Sequence, residues 1–396
     1  MSFIIEVILQ KGLNYLIAMI IPLYFGVESF NALMYALALV GMASQFQHLG
    51  LEAGAVKEMH IAPDKIINIR ILKGIFSLIG AVFYIVLINK SGYPESLVIA
   101  SYILIVAIIL SGEISLQNSI YQLNREYKKF TRFKLTSAII AAGIKVIAIF
   151  YLKSLPALII GIAVYSLLLI ILTYRYQMPT EHKQIIDWRY QGNLIKKYYL
   201  FFAGALMMMG TQKIGILLLQ NSTHSDNVGA LAFGLQLLDG VLLISLAFIN
   251  NITGRLIKIS RRGLNQYNVY KKNSKILFIK ASLVASITFL SGLISLQFIE
   301  NEVYRMMILS TMLLMPTLPV FVLRQIQSKM VVSRGLNTAS FKHNAVGFGI
   351  QLAISYALIE HLGIYAIAGA NFIAFVYMVV ALELALKSTN RRTEIQ

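Results

Sequence analysis

Residues 132–166 read RFKLTSAIIAAGIKVIAIFYLKSLPALIIGIAVYS, and residues 340–374 read SFKHNAVGFGIQLAISYALIEHLGIYAIAGANFIA. Both open on Phe-Lys. Both carry Gly-Ile-Lys or Gly-Ile-Gln in mid-run, pass a very short turn, and enter a second apolar run rich in small residues. A helix crosses the hydrocarbon core of a bilayer with about 20 apolar residues, and each run has about that length. Strands of a membrane barrel alternate apolar and polar residues over about ten positions; neither stretch does. Backbone in lipid must satisfy its own hydrogen bonds, which leaves helices. The decisive reading is a hairpin of membrane-spanning helices that occurs twice in one chain.

Working outward from the two hairpins, spans are expected near 3–26, 31–55, 71–89, 96–118, 135–152, 156–174, 198–219, 228–252, 276–298, 304–325, 342–360 and 364–386. The predicted class is therefore all-α, a polytopic membrane protein of about twelve transmembrane helices. Composition agrees. Of the 396 residues, 58% are hydrophobic and 13% charged, and the mean hydropathy is +0.72. A soluble domain is nearer a quarter charged and under half apolar. The first apolar stretch runs straight into a second span, so no cleavable signal peptide is expected. The sequence has no cysteine, which excludes disulfides, thiolate metal sites and cysteine nucleophiles. Its six histidines are scattered without metal-ligand spacing. No Gly-rich Walker loop with Lys-Ser/Thr is present, so ATP is not the expected driver and no cofactor is called for.

The connections between spans differ in character. Odd-numbered ones are short, such as Gly26-Val27-Glu28 and Lys153-Ser154-Leu155, and they carry Glu28, Glu95, Asp226, Glu300, Glu302 and Glu360. Even-numbered ones are longer and basic. The N-terminus, the even connections and the C-terminus together hold 29 Lys and Arg; the odd connections hold two, Lys90 and Lys153. Positive residues remain cytoplasmic during insertion, so both termini are expected in the cytoplasm. The formal net charge of +18 then reflects topology and attraction to anionic membrane lipids, not nucleic-acid binding.

Residues 1–174 and 198–396 each hold six spans, joined by a cytoplasmic linker at 175–197. Six is even, so the two lobes share one orientation and would be related by an axis along the membrane normal. Paired lobes of this kind suit a carrier that rocks around a shared site. Pro316 and Pro319 fall inside the tenth span and should bend it, either as a gate or as a packing kink.

Several stretches resemble one family. PLYFGVESFNALMYALALVGMASQFQHLGLEAGAVKEM (22–59) is similar to the first two spans of the polysaccharide flippases of the multidrug/oligosaccharidyl-lipid/polysaccharide exporter superfamily. LNREYKKFTRFKLTSAI before span five, NVGALAFGLQLLDG opening span eight and HLGIYAIAGANFIA at the last outer turn follow in the same order. The O-antigen (Wzx-type) branch is the nearest match. The resemblance implies transport of an undecaprenyl-pyrophosphate-linked oligosaccharide, O-antigen or a similar lipopolysaccharide repeat unit, across a bacterial inner membrane. It also implies a polysaccharide polymerase and a chain-length regulator as partners. One departure is in span seven. Where many relatives have an acidic residue, this chain has Gly210-Thr211-Gln212-Lys213, so no cation-coupling role carries over to that position.

A pyrophosphate-sugar head crossing about 30 Å of hydrocarbon needs cations and hydrogen-bonding groups along its way, since unpaired buried charge is costly. The substrate-binding candidates are Lys145, Lys213, His48, Gln45, Asn250 and Asn251. Lys145, in mid-span, reaches neither interface; the alternative to substrate contact is a structural pair with a buried acid. Lys213 has the option of snorkelling outward. Gln45, His48 and Glu52 would share one helical face. Asp239, Glu113 and Glu52 are the candidates for ion coupling, by proton or sodium, or for counter-charge to a lysine. Two other functions compete. A drug or cation antiporter of the same superfamily would have an acidic, apolar cavity. A membrane enzyme would need a large outer loop, and here these reach about seven residues at most.

Overall fold

The computed structural model describes residues 2–48, 58, 65–124, 126–174, 186–243, 266–333 and 336–395. Among them there is no strand. The helices are α1 (Ser2–Ala43), α2 (Ile66–Asn89), α3 (Glu95–Ser101), α4 (Leu104–Leu123), α5 (Tyr127–Ile147), α6 (Leu155–Tyr174) and α7 (Trp188–Gln220). They continue with α8 (Ser225–Leu243), then α9 (Gln266–Phe298), α10 (Glu302–Leu314), α11 (Thr317–Ser333), α12 (Asn337–Leu362) and α13 (Ile364–Ile395). Among the described residues ten helices are long and apolar enough to cross a membrane, and the bent pair α10–α11 makes an eleventh span. Within α1 the helix breaks at Gly26, at φ 80° and ψ 168°. That backbone region is open almost only to glycine. The break separates the first and second expected spans, so all twelve segments have a counterpart. Residues 49–55 and 244–252 of the expected second and eighth spans lie outside the described residues. This is a multi-pass membrane protein.

Surface chemistry fits that setting. On α9, Leu283, Ile287, Leu290 and Ile294 are all exposed, at spacings of three and four that form one stripe. Such a stripe in water would be a large apolar patch; against acyl chains it costs nothing.

The chain parts into two compact units, Met1–Leu206 and Met207–Gln396. In the first, α2 packs on α4, α4 and α5 on α6, and α1 on α2 and α5. In the second, α12 packs on α13, α9 on α10 and α11, and α13 also on α10 and α11. The two stretches that decided the fold are the hairpins α5–α6 and α12–α13. Each turns on a residue of positive φ, Lys153 (46°) or Gly363 (53°). The last turn of the first hairpin's leading helix widens into a π-turn over Ala148–Leu152. The bend between α10 and α11 is 48° and falls at Pro316. The ring has no N–H and clashes with the carbonyl four residues back, so Met312 O accepts from Met315 N instead, at 3.3 Å.

The seventh span starts earlier than its apolar run. The segment read as linker up to residue 197 already belongs to α7, which starts ten residues before 198. Asp187 explains the early start. Its Oδ1 accepts from Tyr190 N at 3.0 Å, an N-terminal cap, and its Oδ2 receives Lys65 Nζ at 3.0 Å. Its own N–H donates to Asn68 Oδ1 at 2.8 Å, which Gln191 Nε2 also reaches at 3.1 Å. Glu58 adds a second clamp, accepting from Lys197 Nζ at 2.5 Å and Tyr198 Oη at 2.8 Å. Burial by itself would raise the Glu58 carboxyl. Hydrogen bonds from Lys197 and Tyr198, with the Lys197 charge, outweigh it and hold the carboxyl below its ordinary value. The cap bond from Tyr190 and then the contact with Lys65 lower Asp187 likewise.

Carboxyls lowered in the fold stabilise it above their ordinary pKa of about 4, and that contribution is lost as pH falls through the lowered values. Trp188, the only tryptophan, adjoins the clamp and reports on it. Acid titration of its fluorescence is expected to show a transition below about pH 4. Glu58→Gln with Asp187→Asn should abolish that transition.

Candidate functional site

The ionisable residues inside the spans are few, and packing gives several of them a specific partner. Lys145 lies in the last turn of α5 and is 8% exposed. Its Nζ donates to Asn14 Oδ1 on α1 at 2.9 Å. Its stem lies against Gly161 of α6, where an added Cβ would come within 2.8 Å of Lys145 Cγ. The small residue in α6 thus makes room for a long cationic side chain between helices. Among the described residues no carboxylate is within ion-pair distance of Lys145. The amide of Asn14 satisfies a proton of the ammonium but leaves its charge uncompensated.

Lys213 and Asp239 come together. Lys213 Nζ on α7 and Asp239 Oδ2 on α8 are 2.6 Å apart, with the lysine side chain nearly buried and the aspartate one-third exposed. Glu113 takes Arg70 rather than a lysine. Its Oε2 accepts from Arg70 Nε at 3.1 Å and its Oε1 from Gln117 Nε2, one turn on, at 2.8 Å. The Arg70 guanidinium lies 5.7 Å from the Tyr174 ring centre, a cation–π contact.

The polar stripe expected at 45, 48 and 52 presumed one helix through residue 55. Instead α1 stops at Ala43 and a 3-10 turn occupies Phe46–His48, so Gln45 and His48 do not share an α-helical face. Gln45 is half-buried, while its neighbour Gln47 is buried. Glu52, Asn250, Asn251 and the His48 side chain lie outside the described residues.

Several inward polar residues escaped the sequence reading. Arg324 on α11, one residue from the inner end of the expected span 304–325, is 1% exposed. It donates to Asn344 Oδ1 at 2.7 Å and Ser340 Oγ at 3.3 Å, and its Nε and Nη1 have no partner among the described residues. Lys73, two residues inside the end of the expected span 71–89, is buried and bonds Ser115 Oγ at 2.8 Å. Gln351, the counterpart of Lys145 in the repeated stretch, is fully buried with both amide atoms unpartnered among the described residues. Ser355 and Asn371 on the same hairpin share that condition. Buried, unpartnered polar atoms are where water or a polar ligand group finds bonds. The Gly-Ile-Lys/Gln repeat was the available signal for Gln351; nothing in the sequence pairs Arg324 with Asn344. Among the described residues no cluster of His, Asp and Glu is suited to a metal.

No protein-family model matches the sequence, and no curated protein matches it. Solved structures do. A multidrug resistance MATE family transporter of the MOP superfamily, in an inward-facing conformation, matches with a TM-score of 0.68 at 14% identity, over 99% of this chain and 96% of that one. The lipid II flippase MurJ, in an inward closed conformation, matches with a TM-score of 0.73 at 15% identity, over 97% and 87%. A eukaryotic MATE transporter matches with a TM-score of 0.69 at 12% identity, over 99% and 95%. This chain has the fold of those transporters. Two of the three are named as transporters and one as a flippase.

The Lys213–Asp239 pair is testable by a double-mutant cycle. Lys213→Met or Asp239→Asn alone leaves a half-buried charge without its partner. Each should lower thermal stability in detergent, and the double variant should recover most of the loss, a coupling of about 1–3 kcal/mol. Gly161→Val should displace the Lys145 stem and separate α5 from α6, destabilising by about 1–3 kcal/mol in the same assay.

Proposed function

We propose that this protein is a flippase that moves an undecaprenyl-pyrophosphate-linked oligosaccharide, O-antigen or a similar repeat unit, from the cytoplasmic to the periplasmic leaflet of a bacterial inner membrane. It works by alternating access, with both termini cytoplasmic and with proton or sodium coupling. The observation that carries this reading is Lys145. A lysine inside a membrane span costs up to roughly 2.5–3.5 kcal/mol on insertion scales, the figure for the helix centre. Here that cost is incurred without an acidic neighbour among the described residues; Lys145 bonds only the neutral Asn14. A purely structural lysine would be expected with a carboxylate beside it. An ammonium with a neutral hydrogen-bond partner is suited to attract the phosphate of an anionic head. Arg324, bonded to Asn344 and Ser340, repeats the arrangement in the second unit. The MurJ flippase, named for a lipid substrate, has the same fold. A polysaccharide polymerase and a chain-length regulator would take up the delivered units.

The alternative is a drug or cation antiporter, favoured by the MATE transporters among the similar structures. It would need a carboxylate to exchange for a cation. Of the candidate carboxylates that are described, Asp239 is engaged by Lys213 and Glu113 by Arg70.

Lys145→Ala should stop surface polysaccharide display while leaving the protein in the membrane at normal abundance. Normal display in that strain removes the lysine from the mechanism. Deleting the gene should make lipid-linked repeat units accumulate on the cytoplasmic side. Raised drug sensitivity with unchanged surface glycan would establish the antiporter instead.

A further inference from the structure

Apart from the intramembrane pairs, the second unit has a groove of about 600 Å³ between α9, α11 and α13. That volume is in the range of sites that hold small molecules. One rim is Lys271, Lys272 and Lys275 on α9; the floor is Phe278, Leu323 and Val379. All three lysines are exposed. None of them has an ion-pair partner among the described residues. The neighbouring chain supplies none either: between Asp239 and Glu300 the sequence has no acidic residue and eight basic ones.

Among the described residues Glu383 is the one carboxylate lining the groove, and it is already hydrogen-bonded. It accepts from Tyr267 Oη at 2.6 Å, Tyr270 Oη at 2.8 Å and Gln327 Nε2 at 3.4 Å. The three lysines outnumber it. Gln327 is buried at the groove, and its Oε1 has no donor among the described residues.

Depth identifies the occupant. The exposed side of α9 runs from Lys272 and Lys275 through Ile279 to Leu283. Lys275 and Leu283 are eight residues apart, about 12 Å along the helix. The lysines therefore stand where the lipid-facing stripe ends, at the level of phospholipid headgroups, and the apolar floor starts one turn deeper. Basic pockets between membrane helices at that level suit anionic headgroups.

We propose that this groove binds one anionic diacyl phospholipid of the surrounding bilayer, with its phosphate on Lys271, Lys272 and Lys275 and one chain laid against Phe278, Leu323 and Val379. The site is independent of the transport reading, because its ligand is a bulk membrane lipid and carries no sugar chain.

The test uses full-length protein in mild detergent, incubated with phosphatidylglycerol or phosphatidylcholine and examined by native mass spectrometry for retained lipid. The wild type should retain one phosphatidylglycerol and no phosphatidylcholine. The triple variant Lys271→Gln/Lys272→Gln/Lys275→Gln should lose affinity by about two orders of magnitude, at roughly fivefold per lysine. A control with equal loss of charge at α5, Lys128→Gln/Lys129→Gln/Arg132→Gln, should retain the lipid. Val379→Trp, which fills the floor and leaves the lysines in place, should weaken retention. Undiminished binding by the lysine triple variant overturns the proposal. So does equal loss in the α5 control, which would mean general charge attraction, and so does equal retention of phosphatidylcholine by the wild type. Unchanged binding by Val379→Trp would overturn the chain placement.

Discussion

A charge held within hydrocarbon must find its partner inside the protein, and the structure is arranged around that requirement. Water supplies no alternative hydrogen bonds at that depth, so a buried ionisable side chain in a span fixes the helices on either side of it. Lys145 draws α5 to Asn14 on α1. Arg70 on α2 is joined to Glu113 on α4, and Lys213 on α7 to Asp239 on α8. Arg324 ties α11 to Asn344 on α12. With lipid outside as apolar as the leucines within, burial of apolar surface gives helices little reason to associate in a chosen register. The polar contacts and the small residues opposite them, such as Gly161 beneath Lys145, supply that register.

The partners separate two kinds of charge. Lys213 and Arg70 have carboxylates beside them, so each pair is near neutral and acts as a joint between helices. Lys145 and Arg324 have amide and hydroxyl oxygens, which satisfy protons without cancelling charge. The positive charge at each of these two positions is therefore not cancelled by a carboxylate among the described residues. On the same reasoning the lysines of α9 differ from those near residue 65: Lys65 is spent on Asp187, whereas Lys271, Lys272 and Lys275 stand beside a groove with an apolar floor.

The sequence made the spans legible because length and apolarity decide whether a helix can cross hydrocarbon, and both are local properties. The bend at Pro316 and the break at Gly26 were equally readable, since each follows from one residue's backbone chemistry. The start of α7 was not. Residues 188–197 are polar enough to read as a linker, and they become helix because Asp187 caps them and Lys65, Asn68 and Glu58 hold them from far along the chain. The stripe at 45, 48 and 52 shows the opposite error, since helical periodicity was carried past Ala43, where the helix ends.

By itself, the amino-acid sequence determined the all-helical class, the number of spans, the repeat of one hairpin and the short list of charges that hydrocarbon would not leave alone. Only the tertiary structure decided which charge meets which. Lys145 had been weighed between a substrate and a buried acid, and its neighbour is an amide 131 positions away. Arg324 and Lys73 looked like span ends and are buried. The physical reason is that insertion depends on each helix separately, whereas the environment of a charge depends on groups that only packing brings within 3 Å.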